Sequence, residues 1–227
     1  REIDLESTLM DLIKQQSNPT IALLIKKGYI EVRITAKAET LEAAQDLLNP
    51  WDAIIRERLG SRVGRDLTIS MEETLGRTLL EKHSTISTAE SCTSGLVGKL
   101  LTNVSGSSEY YMGGVISYSN DLKHRVLGVP QDMLDIYGAV SEQVAKAMAE
   151  GARTVGQTTY AVSTTGIAGP GGGTQEKPVG LVWFGVTGPH GTVAHKANLI
   201  GNREDIRQSA AELALYYVYT YITEKGK

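Results

Sequence analysis

A single cysteine, Cys92, excludes an intramolecular disulfide and fits a reducing compartment. No run approaches the roughly 18 consecutive apolar residues of a membrane helix, and no signal-peptide pattern opens the chain, so a cytoplasmic protein without a membrane segment is expected. The net charge of −3 shows none of the basic excess of a general nucleic-acid binder, which argues against direct nucleic-acid binding. His83, His124, His190 and His195 form no pair at H-E-x-x-H spacing, so no metal site is expected. A phosphate-binding G-x-x-x-x-G-K-[ST] loop is also lacking. What remains is ordinary globular material: 227 residues, 41% hydrophobic and 22% charged, enough for one large domain or two small ones. The chain opens on Arg1, and a fragment of a longer protein is expected.

The periodicity predicts a helix over residues 5–14, broken at Ser17-Asn18-Pro19, then a short apolar turn over 21–25. Alternation over 30–36 predicts a half-buried strand, and 3.6-residue spacing over 41–59 a helix capped by Gly60. These elements make a small α+β module over residues 1–66, with a linker around Gly64-Arg65-Asp66. From residue 70 to 227 helices (71–83, 92–102, 121–127, 142–155, 205–222) alternate with strands (86–89, 114–118, 160–164, 181–186, 192–199). That order predicts an α/β domain, a three-layer α/β/α sandwich.

Four segments carry candidate chemistry. Thr88-Ala89-Glu90-Ser91-Cys92-Thr93-Ser94-Gly95 lies where a strand runs into a helix, the place where open α/β sheets bind ligands. Ser91 and Thr93 there suit either a phosphate or a plain helix cap. Cys92 is either a nucleophile activated by the helix terminus or a small buried packing residue. Gly106-Ser107-Ser108, with Tyr118 and Lys123, supplies the parts of a histidine-free nucleophile system. A lysine acts as base there only if burial or a nearby cation lowers its pKa. The glycine-rich stretch from Thr165 and Gly166 through Gly169 to Gly173 is either a ligand-approaching loop or a surface loop. It is not a dinucleotide fingerprint, since the sixth position counted from Gly169 is Thr174. Asn202 is placed to cap the last helix. Arg203 and Arg207, four apart on one face, offer an anion site or local pairing with Glu204 and Asp205.

Taken together, Thr88–Thr93, Gly106–Ser108, Tyr118-Ser119-Asn120, Gly138–Glu142, Gly166–Pro170, Glu176–Gly180 and Gly201-Asn202-Arg203 closely resemble the C-terminal nicotinamide-nucleotide amidase domain of the competence/damage-inducible CinA family. Residues 1–65 are similar to that family's KH-type middle module, through Ser17–Ala22 and the strand around Arg33–Ala36. This module has no G-x-x-G loop to clamp a nucleic-acid backbone and is expected to link or dimerise. The resemblance implies metal-free and cofactor-free hydrolysis of nicotinamide mononucleotide to nicotinic acid mononucleotide and ammonia, in pyridine nucleotide recycling. It implies Ser108 as nucleophile, Tyr118 and Lys123 as proton-handling partners, and a homodimer. Ser91, Cys92, Thr93, Thr165, Gly166, Gly169, Arg203 and Arg207 are the expected substrate contacts. Where the family has a glycine this chain has Ser94, whose side chain is expected to crowd the ligand. The alternative is a non-catalytic domain that binds a nucleotide, or a protein partner in competence or DNA repair.

Overall fold

The computed structural model describes residues 2–26, 29–60 and 69–224. It divides into two compact units, Arg1–Thr68 and Ile69–Lys227. The expected linker at Gly64-Arg65-Asp66 lies outside the described residues.

The first unit runs α1 (Glu2–Gln15), β1 (Thr20–Lys26), β2 (Tyr29–Thr35) and α2 (Leu41–Leu59). The apolar stretch expected to be a turn is a full strand. Its backbone is satisfied residue by residue against β2, with Ile21 opposite Ile34 and Leu23 opposite Val32. Leu9, Leu12, Ile21, Ile55 and Leu59 form its core. The Thr40 hydroxyl accepts from the Ala43 N–H to start α2, and Gly60 ends it at φ 53°. Asp11 pairs with Arg58 and so ties α1 to α2.

The second unit contains α3 (Met71–Glu81), β3 (Ile86–Glu90), α4 (Leu96–Thr102), β4 (Tyr111–Ile116), α5 (Asn120–Leu127), α6 (Gln131–Tyr137), α7 (Glu142–Gly156), β5 (Tyr160–Gly166), β6 (Leu181–Gly188), β7 (Gly191–Asn198) and α8 (Arg203–Glu224). The strand order is β4-β3-β5-β6-β7. The first three strands are parallel, while β6 and β7 are antiparallel additions, so the sheet is mixed.

Helices cover both faces, as three layers require. Leu75, Leu79, Leu101, Ile206, Ala210 and Leu215 from α3, α4 and α8 pack with Ile86, Val162 and Phe184 of the sheet. Ala89 and Ala161 instead meet Leu127, Leu134, Val144 and Met148 from α5, α6 and α7. Two elements depart from expectation. The segment from Cys92 to Gly95 is a turn, with α4 starting only at Leu96, and α6 adds a short helix that buries Leu134 alone. Because β3, β4 and β5 are parallel, their carboxyl ends lie side by side, and the segments that follow them converge there.

Candidate active site

Glu90, the last residue of β3, shapes the first wall. Its carboxylate is buried and accepts hydrogen bonds from the Thr93 hydroxyl and from the N–H groups of Gly95, Val97 and Gly98, at 2.7–3.1 Å. A buried anion at a helix N-terminus needs such donors, and they bend the chain tightly through residues 91–95. The Ser91 N–H donates to the Thr164 carbonyl at 3.0 Å, which fastens the turn to β5. Ser94 has φ 49°, within the left-handed region that favours glycine, and its hydroxyl donates to the Ser91 carbonyl at 3.1 Å. Among the described residues, the N–H groups of Cys92, Thr93 and Ser94 donate to no protein acceptor.

The second wall follows β4. Ser119 caps α5, accepting from the Leu122 N–H, and one turn later α5 carries Lys123 inward to only 1% exposure. Its Nζ lies 3.2 Å from Ser91 Oγ, 2.7 Å from the Ser117 carbonyl and 3.3 Å from the Tyr118 carbonyl. Burial disfavours the ammonium and brings the lysine from 10.5 down to about 8, against a smaller upward pull from Cys92. At pH 7 roughly a tenth of such a lysine is neutral, compared with about one in three thousand for an ordinary one. Nζ donates to all three oxygens, and loss of one proton leaves a lone pair free to face the Ser91 hydroxyl.

A cleft of about 200 Å³ opens on this pair, lined by Ser91, Cys92, Tyr118, Asn120, Lys123, Thr165, Gly166 and Arg203, with Ala139, Val140 and Ala168 as its apolar part. Gly166 leaves no room for a side chain, because a Cβ there would lie 2.7 Å from the Leu181 carbonyl oxygen.

The expected site residues separate into three groups. Ser91, Cys92, Tyr118, Lys123, Thr165, Gly166 and Arg203 meet at the cleft. Thr93, Gly169 and Arg207 support it from outside. The Thr93 hydroxyl is spent on Glu90 and Thr164, and the Gly169 carbonyl accepts from Arg203. Arg207 donates to the Cys92 and Thr93 carbonyls at 3.2 Å each and pairs with Glu204, so it braces the turn.

Ser108, the expected nucleophile, stands apart from the cleft. It is exposed in a one-turn 3-10 segment, Ser107–Glu109, before β4. The neighbouring Tyr110 carbonyl accepts from the Ile86 N–H at the amino end of β3. The cleft lies at the carboxyl ends, a strand length of roughly 20 Å away. Ser91, not Ser108, is the serine within hydrogen-bond distance of Lys123. Glu90 and Asn120 were missed, although Asn120 follows the capping serine directly.

Cys92 is buried, and that burial pushes its thiol up to about 12, which leaves almost no thiolate near neutrality. Among the described residues no cluster of histidine, cysteine and acidic side chains is arranged to hold a metal, and no helix is long and apolar enough to cross a membrane.

Comparison with known proteins agrees with this architecture. The CinA C-terminal domain family matches residues 68–222, and the damage-inducible protein CinA KH domain family matches residues 1–63. A competence-damage inducible protein of Clostridium novyi is 43% identical over 95% of this chain and 52% of its own length, and one from Moorella thermoacetica is 41% identical over 96% and 52%. The chain thus spans about half the length of the curated relatives it matches. The crystal structure of competence/damage inducible protein CihA from Agrobacterium tumefaciens is similar with a TM-score of 0.63 and 38% identity, over 69% of this chain and 98% of that one. A competence-damaged protein (CinA) superfamily structure from Escherichia coli gives 0.65 and 28%, over 70% and 94%. With both units matched in order, the chain belongs to the CinA family.

Proposed function

We propose that the second unit is a serine amidohydrolase in which Ser91 is the nucleophile and Lys123 its base, and that its substrate is nicotinamide mononucleotide. The observation that carries this reading is the 3.2 Å contact between Ser91 Oγ and a buried lysine whose ammonium form is disfavoured. Serine is too weakly acidic to attack an amide without a base at hydrogen-bond distance. The substrate assignment is supported by the family resemblance, by the partly apolar cleft wall and by the cationic Arg203, which suits a phosphate.

In this reading the lone pair of Lys123 takes the Ser91 proton as Oγ bonds to the amide carbon. The N–H groups of Cys92, Thr93 and Ser94 are the candidate donors to the oxyanion, and each such donor in other enzymes contributes about 3–4 kcal/mol. The Lys123 ammonium returns the proton to the amide nitrogen as the C–N bond breaks, and ammonia leaves. Water then attacks the ester on Ser91, giving a proton to Lys123, which returns it to Ser91 Oγ as the acyl–oxygen bond breaks and the acid product is released. Tyr118, with its ring 64% exposed at the mouth, is placed to contact the substrate ring. Ammonia release from nicotinamide mononucleotide by the purified chain, abolished in Ser91→Ala, is the expected result. Tight nucleotide binding without ammonia release would favour instead a binding domain, which suits relatives named for competence and damage.

A further inference from the structure

Ser117 touches the same lysine through its backbone alone. It is fully buried, its N–H donates to the Glu90 carbonyl at 2.8 Å, and its carbonyl accepts from Lys123 Nζ at 2.7 Å. Its hydroxyl, however, is the one buried side-chain polar atom without a hydrogen-bond partner among the described residues. Alanine or valine would keep both backbone contacts without the cost of a dry hydroxyl, and native proteins retain few such groups.

The needs of Lys123 change during the proposed reaction. In the free enzyme Nζ donates to two carbonyls and to Ser91 Oγ. Once Ser91 Oγ is bonded to the acyl carbon it is a poor acceptor, and the third donor of the ammonium needs another. The Ser117 hydroxyl belongs to the residue whose carbonyl already accepts from Nζ, and it has no other partner among the described residues.

Resting on the Ser91–Lys123 reading, we propose that Ser117 is a positioning residue for Lys123, whose otherwise unpartnered hydroxyl accepts a hydrogen bond from the ammonium form and so sets where the lysine titrates. The other ionisable groups around Lys123 do not take that role. The Cys92 thiol is buried, the Glu90 carboxylate is committed to the turn, and Asp121–Arg125 and Glu142–Lys146 form exposed pairs on α5 and α7. His124 Nδ1 is bonded to the Val129 carbonyl, while Tyr118 and Arg203 lie on the cleft side.

The test is an NMR titration of Ser91→Ala protein, which lacks the Oγ acceptor as the acyl-enzyme does, labelled with ¹³Cε-lysine, with the Lys123 signal assigned by its loss in Lys123→Met. The Ser117 variants are made in this background, and the protein retaining Ser117 is the reference. Ser117→Ala should move the Lys123 titration down by about half a pH unit or more. Ser117→Thr should restore it, and Ser117→Val, branched like threonine but without the hydroxyl, should shift it as alanine does. Titration of Ser117→Ala at the reference position, or an equal shift in Ser117→Thr and Ser117→Val, would overturn the proposal. The measurement needs no turnover, so a wild type that releases no ammonia refutes the hydrolase reading separately. With turnover, the acid limb of kcat/KM should follow the same shifts.

Discussion

Two serine-bearing turns flank the same pair of parallel strands, and their surroundings differ. The turn holding Ser91 follows the carboxyl end of β3, is organised by a buried carboxylate, and is braced by Arg207. The turn holding Ser108 precedes β4 and lies exposed. A serine becomes a nucleophile candidate through its surroundings, meaning a desolvated base at hydrogen-bond distance and unpaired N–H groups beside it.

Substitution separates the two turns most sharply. Ser91→Ala should lower kcat/KM for ammonia release by a factor on the order of 10⁴ or more, whereas Ser108→Ala should stay within about twofold of the wild type. Equal losses in the two variants would erase the distinction.

Lys123→Met should cost nearly as much activity, since without the base the serine proton has no acceptor. The wild-type rate should rise with pH through about 8, as Lys123 loses its proton. The same group links folding to pH. Its folded pKa lies below the unfolded value, so the unfolded chain binds more protons between about 8 and 10.5, and stability should rise across that window. Urea unfolding followed from pH 7 to 10.5 should show this slope in the wild type and a flatter one in Lys123→Met.

The two arginines sharpen the comparison further. Arg203→Ala should raise KM roughly 10- to 100-fold with a smaller change in kcat, the range expected for one lost charge-assisted hydrogen bond to a phosphate. Arg207→Ala should instead lower kcat and the unfolding temperature together, because it frees the Cys92 and Thr93 carbonyls that hold the turn. The smallest effect is expected at Cys92, where a thiol held near 12 should react sluggishly with iodoacetamide at pH 7.5 and leave activity intact. Rapid alkylation with parallel inactivation would move suspicion from Ser91 to the thiol.

Periodicity located most of the helices and the strands of the sheet, because alternating and 3.6-residue patterns record which face is buried. It missed β1, whose strand state depends on pairing with β2, and α6, which buries too little to leave a pattern. The site was legible in parts: Tyr118, Lys123, Thr165, Gly166 and Arg203 were singled out from sequence and meet at one cleft. Which serine meets Lys123 was not. Ser108 is nearer to Tyr118 along the chain, but parallel pairing sets Glu90 opposite Ile116, and the Ser117 N–H reaches the Glu90 carbonyl. That register, which spacing does not reveal, makes Ser91 the neighbour of Lys123.

The most direct test is to trap the acyl-enzyme. Wild-type protein mixed with nicotinamide mononucleotide, quenched in acid within milliseconds and mapped by peptide mass spectrometry should carry the acyl group on the peptide containing Ser91, at Ser91. An adduct on Ser108 or Cys92, or ammonia release that proceeds unchanged in Ser91→Ala, would contradict the account.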